Sequence, residues 1–101
     1  MPITVTSRDS ALTIALSGEI DHHAARELMS QLDDAIATRL PARLVLDLSD
    51  VGFMDSSGIA VLLRTLRQMQ QIGGTLRVCN IPAQARRVLD AAGVGRLITL
   101  D

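Results

Sequence analysis

Aromatic side chains are almost absent from this sequence. Phe53 is the single aromatic residue among 101, with no Trp or Tyr. The chain therefore lacks the stacking surfaces on which single-stranded nucleic acids are held. Ten basic and eleven acidic residues give a formal net charge of -1, so the basic footprint of a phosphate-backbone binder is missing as well. The composition predicts no direct nucleic-acid partner and an aliphatic core.

Cysteine and long apolar runs are equally scarce. Cys79 is the only cysteine and cannot form an internal disulfide, and residues 1–8 carry no pattern of a secretory leader. Even the stretch 43–63 is interrupted by three aspartates, whereas a membrane span needs about 20 predominantly apolar residues. These absences predict a chain with no membrane partner, located in the reducing cytoplasm.

The glycine-rich loops that hold nucleotide phosphates are missing too. Neither G-x-x-x-x-G-K-[ST] nor G-x-G-x-x-G occurs, so we expect no nucleotide-binding loop and no cofactor. The chain is 48% hydrophobic and 21% charged, which is the composition of a folded globule. Because two cores would each be too small to be stable, residues 1–101 are expected to form one domain.

Apolar periodicity predicts an alternation of strands and helices. Alternating or branched apolar runs predict strands, and spacing of three and four residues predicts helices. The predicted strands cover 3–8, 11–17, 43–48, 75–81 and 97–100, with a turn at 8–10 and Gly18 ending the second strand. The predicted helices cover 22–39, 56–72 and the segment between Pro82 and Gly93.

The order of these elements is β-β-α-β-α-β-α-β. The first two strands are expected to pair as an antiparallel hairpin, and the later strand-helix-strand units are expected to be parallel with right-handed crossovers. The fold class predicted from the sequence is therefore α/β, a single mixed β-sheet with helices packed on it.

The motif FMDSSG, residues 53–58, places Asp55, Ser56, Ser57 and Gly58 at the start of the second helix. A helix N-terminus favours anions and phosphate esters, and a glycine lets another backbone approach closely. The residues by themselves fit either a helix cap or a phosphorylation switch. A serine hydrolase is a weaker alternative, because the sequence is not a G-x-S-x-G elbow and only His22 and His23 could act as a base.

A second motif, Asp21-His22-His23, precedes the first helix. Asp21 stands where an N-cap is expected. Adjacent helical histidines point about 100° apart and cannot chelate one ion together, so no metal site is predicted. Two interpretations of this motif remain open: a helix start with solvated histidines, and a surface that contacts a partner.

Other polar side chains give no pattern for acid-base chemistry. Asp47 and Asp50 lie near the end of the third strand, and no paired geometry is implied for them. Asp33 and its neighbour Asp34 are most simply a solvated helix face. Cys79, inside a strand, is expected to be a small core residue.

Three motifs in this order resemble the bacterial anti-sigma-factor antagonists of the STAS group: GEIDHH at 18–23, FMDSSG at 53–58 and QQIGG at 70–74. The resemblance covers essentially the whole chain. Within that group, the chain is most similar to the members that act on the sigma-F pathway of sporulation. The combination of DHH with MDSSG is far more specific than either motif alone.

The resemblance implies a partner switch rather than an enzyme. In such proteins the unphosphorylated antagonist binds an anti-sigma factor that is also a serine kinase, and so frees the sigma factor. The kinase phosphorylates the antagonist, and a serine phosphatase reverses the modification. The phosphorylated serine corresponds to Ser56, and the residues implied in partner binding are Asp21, His22, His23, Asp55, Ser57 and Gly58.

A second function stays open beside this one. A STAS domain can also be an interaction or ligand-binding module of a larger transporter or stress-sensing complex. Fusion to a membrane domain would favour that alternative, whereas a neighbouring kinase gene would favour the partner switch.

Overall fold

The computed structural model describes residues 3–8 and 11–101. Its elements follow the predicted order β-β-α-β-α-β-α-β, and the predicted turn at 8–10 extends outside the described residues. The element bounds are β1 Ile3–Arg8, β2 Ala11–Ile20, α1 His22–Arg39, β3 Arg43–Met54, α2 Ser56–Gln71, β4 Thr75–Cys79, α3 Ala83–Ala91, a 3-10 turn Val94–Arg96 and β5 Thr99–Leu100.

The strands form one mixed sheet in the order β1-β2-β3-β4-β5. β1 pairs antiparallel with β2, from Ile3 opposite Leu16 to Arg8 opposite Ala11. β3 is parallel to both β2 and β4, and β5 is parallel to β4. The predicted fold class and the predicted antiparallel hairpin are confirmed.

One face of the sheet supplies the core. Alternate residues of β2 and β3 are buried, because successive side chains of a strand point to opposite faces; they are Leu12, Ile14, Leu16, Leu44, Leu46 and Leu48. α1 and α2 contribute the buried residues Leu28, Leu32, Ile36, Val61, Leu62 and Met69. Every hydrophobic side chain of the described core is aliphatic. None of the described helices has the length and apolar character of a membrane span.

Four strand boundaries differ from the prediction. β5 begins at Thr99 and not at Leu97, because Leu97 is the C-cap of the preceding 3-10 turn. β2 continues through Gly18 to Ile20, because the glycine adopts a φ of +86° and forms an irregularity in the ladder instead of ending it. β3 continues from Leu48 to Met54, since β2 pairs with this segment as far as Met54. β4 ends early, at Cys79, where Asn80 turns to a φ of +54°.

Candidate functional site

The two motifs of the sequence meet at one edge of the sheet. Ile20 and Met54 are the last residues of β2 and β3 and lie opposite each other in the parallel ladder. The backbone N–H of Asp55 donates to the Ile20 carbonyl at 3.2 Å. Because the strands are parallel, α1 and α2 begin side by side. We call this region, residues 20–23 and 54–58, the switch edge.

Two aspartates cap the helices that start there. The Asp21 Oδ1 atom accepts from the backbone N–H of Ala24 at 2.9 Å, and the Asp55 Oδ1 atom accepts from that of Ser57 at 2.7 Å. Each satisfies an N–H that a helix start leaves without an intrahelical partner. The N-cap interpretation of both aspartates is therefore confirmed, and each carboxylate is held in a fixed orientation at the edge.

The two serines differ in exposure. Ser56 is the first residue of α2 and is exposed, whereas Ser57 is half-buried. α2 has 16 residues, so its N-terminus carries a partial positive charge and unpaired N–H groups. The Ser56 hydroxyl is thus accessible at a place that accommodates added negative charge.

Gly58 is closely packed against the end of β3. It is buried, and a Cβ added there would lie 2.7 Å from the Sδ atom of Met54. Met54 is itself fully buried. The missing side chain makes room for Met54, and a role of Gly58 in partner binding stays a prediction.

The histidines line a cleft between α1 and α2. His22 and His23 are exposed, and their ring centroids lie 6.1 Å apart with the planes 65° from parallel. The cleft has a volume of about 540 Å³ and is lined by His22, His23, Ala25, Arg26, Met29, Ser57 and Ala60. Among residues 3–8 and 11–101, no group of three His, Cys, Asp or Glu side chains could hold a metal ion. The lining combines apolar side chains, such as Met29, with polar ones, such as Ser57.

Two residues near the edge were missed by sequence reasoning. Phe53 is 39% exposed and lies opposite Glu19 in the ladder. The sequence feature that could have pointed to Phe53 is that it is the sole aromatic residue. The Gln84 side chain binds both backbone polar groups of Met54. No local pattern points to Gln84, because the two residues are 30 positions apart in sequence.

Three other titratable residues, Asp33, Asp47 and Cys79, lie outside the switch edge. Asp33 makes an exposed ion pair with Arg64 at 2.7 Å. Asp47 accepts from the backbone N–H of Ser49, which holds the pKa of this carboxyl below its usual value. Burial, and after it the charges of Asp47 and Asp101, raises the pKa of the Cys79 thiol.

The prediction that Cys79 is a core residue is wrong. The residue is half-buried, opposite Asp47 in the parallel ladder. It shares a sheet face with the exposed Arg77, because side chains two positions apart in a strand point the same way. The buried neighbours Leu76 and Val78 point to the other face.

Replacing Asp55 with alanine should destabilise the protein by about 1 kcal/mol, because the Ser57 N–H loses its acceptor. Asp55→Asn keeps an acceptor oxygen and should lose much less. Urea unfolding followed by circular dichroism measures both. Asp50→Ala, at an exposed position of β3, is the matched control and should change stability by less than about 0.5 kcal/mol. Equal losses of stability in Asp50→Ala and Asp55→Ala would contradict the capping role of Asp55.

Comparison with known proteins gives a consistent result. The STAS domain family matches residues 2–101. The anti-sigma F factor antagonist of Paenibacillus polymyxa is 34% identical over 99% of this chain and 86% of its own. The anti-sigma-B factor antagonist of Bacillus subtilis is 28% identical over 98% of this chain and 89% of its own.

A solved structure agrees with these relatives. The anti-sigma factor antagonist SpoIIAA in its unphosphorylated form superposes with a TM-score of 0.82, at 24% identity, over 98% of this chain and 87% of its own. At 24% identity, this structural similarity supports the fold assignment alone. With the family match over nearly the whole chain, the conclusion is that this chain belongs to the STAS domain family.

Proposed function

We propose that this chain is an anti-sigma-factor antagonist that works by partner switching. Its unphosphorylated form binds an anti-sigma factor that is also a serine kinase, and this binding frees the sigma factor. Phosphorylation of Ser56 ends the binding, and a serine phosphatase restores it. The chain supplies a substrate hydroxyl and performs no catalysis. The observation that carries the proposal is the exposed Ser56 at the start of α2, beside the start of α1.

Electrostatics at the switch edge support a switch at Ser56. A phosphate adds about 1.5 to 2 negative charges and three acceptor oxygens. The N-terminus of α2 accommodates this charge, while the capping carboxylates of Asp21 and Asp55 already make the edge acidic. A partner surface that fits a neutral hydroxyl would meet both added bulk and added charge. Phosphorylation should therefore weaken the complex without unfolding α2.

The docking surface we propose follows the switch edge into the cleft. Asp21 and Asp55 offer their outer carboxylate oxygens, and His22, His23 and Ser57 form one side of the cleft. These groups would complement a basic partner surface, because opposite charges guide association and fix orientation. Gly58 acts beneath this surface by admitting Met54. The same edge therefore presents the acceptor hydroxyl and the groups that bind the kinase.

The direct test uses the intact chain, the cognate anti-sigma factor kinase and ATP. We expect the mass of one phosphate to be added, and peptide mapping to locate it at Ser56. Isothermal titration calorimetry should show that the unmodified chain binds the kinase more tightly than the phosphorylated chain does. Modification elsewhere, or equal affinity of the two forms, would overturn the proposal.

Phe53→Ala should weaken kinase binding by roughly tenfold or more. Aromatic side chains at interfaces commonly contribute above 1 kcal/mol, and Phe53 is exposed directly before the switch edge. Titration calorimetry measures the effect. Leu97→Ala is the matched control, because Leu97 is 62% exposed but precedes β5, at the opposite end of the parallel strands. Equal affinities for the wild type and Phe53→Ala would remove Phe53 from the interface.

A further inference from the structure

The last residues of β3 lack a neighbouring strand on one side. β3 runs to Met54, but β4 ends at Cys79, which lies opposite Asp47. The segment after Asp47 is therefore paired with β2 alone. Backbone N–H and C=O groups are costly to bury without partners, and Met54 is fully buried. Something other than a strand must satisfy its backbone.

Gln84 of α3 takes the place of the missing strand. Its Oε1 atom accepts from the Met54 N–H at 2.8 Å, and its Nε2 group donates to the Met54 carbonyl at 2.8 Å. A carboxamide has an N–H donor and a carbonyl acceptor, as a backbone peptide does, so the one side chain makes both hydrogen bonds to Met54. Gln84 is the second residue of α3, and it joins the start of that helix to the end of β3.

Gln84 holds both backbone polar groups of Met54, the residue two positions before Ser56. On the opposite side, the N–H of the next residue, Asp55, donates to the Ile20 carbonyl of β2. Residues 54 and 55 are therefore fixed from both sides, by α3 and by β2. The side chain of Asp55 in turn caps α2. A continuous series of hydrogen bonds therefore joins Gln84, through Met54 and Asp55, to the turn that carries Ser56, although Gln84 lies outside the motif.

We infer that Gln84 is a positioning residue for phosphoryl transfer to Ser56. The inference rests on the proposed function, because it concerns how fast the kinase modifies this serine. Displacing a reacting group by about 1 Å can slow a reaction by about a hundredfold. Loss of the Gln84 contact should therefore lower kcat for phosphorylation by about tenfold or more. KM should change less than kcat, because residues 21–23 of the proposed docking surface lie at the start of α1, whereas Gln84 bonds to Met54 of β3.

The first arm of the test needs no kinase. In Gln84→Leu, the Met54 amide should exchange with solvent at least about tenfold faster than in the wild type, because its acceptor is gone. In Gln84→Glu, the acceptor for that amide remains but the donor to the Met54 carbonyl is lost, so a smaller increase is expected. Gln70→Leu, at an exposed glutamine of α2, is the control. Unchanged exchange at Met54 in both Gln84 variants would overturn the inference.

The second arm measures steady-state phosphorylation of the same variants by the cognate kinase. A lower kcat with a smaller change in KM in Gln84→Leu supports the inference, and Gln84→Glu provides the same comparison should Gln84→Leu not fold. Normal kcat in both variants, with the wild type modified at Ser56, would overturn the inference alone. A wild-type chain left unmodified at Ser56 would overturn the proposed function, and the positioning role with it.

Discussion

Ser56→Ala is expected to abolish ATP-dependent phosphorylation and to leave binding of the anti-sigma factor kinase nearly unchanged. The substitution removes only one hydroxyl oxygen from the surface. The capping bond at this turn does not involve that oxygen, because the Ser57 N–H donates it to Asp55 Oδ1. α2 should therefore start at the same residue. Mass spectrometry after incubation with kinase and ATP, together with titration calorimetry, measures both properties.

Ser57→Ala is the matched control for this experiment. Ser57 is the adjacent hydroxyl, half-buried at the cleft, and we expect its variant still to gain one phosphate at Ser56, with a higher KM because Ser57 belongs to the proposed docking surface. Ser56→Asp places one carboxylate where the phosphate would sit, and should weaken kinase binding by roughly tenfold. Phosphorylation that persists in Ser56→Ala would move the site to another residue.

Gly58→Val should lower the free energy of unfolding by at least about 2 kcal/mol. Its Cβ would fall within 2.7 Å of the Met54 Sδ atom, in a core where Met54 has no exposed surface. Inserting atoms into a packed core forces neighbouring side chains or backbone to shift. Urea or thermal unfolding measures the loss.

Two further variants isolate the cause of this loss. Gly52→Val is the matched control, because Gly52 lies in β3 with nothing within 4 Å of an added Cβ, and it should change stability by less than about 0.5 kcal/mol. The double variant Met54→Ala with Gly58→Val should lose about 1 kcal/mol less unfolding free energy than the two single variants lose together, because the two side chains occupy the same space. A Gly58→Val protein of full stability that fails to bind the kinase would instead place Gly58 in the partner contact.

The partner-binding roles of Asp21, His22 and His23 stay predictions, and so does the phosphorylation of Ser56. The structure gives these residues a common setting, since β2 and β3 end opposite each other and the two helices begin from there. The alternative, a STAS module of a larger transporter or stress-sensing complex, would use the same fold. Phosphorylation of Ser56 by a cognate kinase distinguishes the two.

Local features of the fold could be read from the sequence because their causes are local. The bounds of α1 follow from Asp21 at its start and Pro41 just beyond its end. The alternation of Leu12, Ile14 and Leu16 predicts a strand with one buried face, which the structure shows. The first residue of α2 follows from Asp55 in the same way. Each of these depends on residues a few positions apart.

The sequence by itself determined the order of the elements, the helix starts and the exposed serine that follows Asp55. Only the tertiary structure decided that β2 continues past Gly18, that β3 reaches Met54, and that Gln84 closes the open side of β3. The physical reason is distance along the chain. Strand pairing and side-chain contacts satisfy backbone groups with partners about 30 residues away, and composition and periodicity do not carry the identity of those partners.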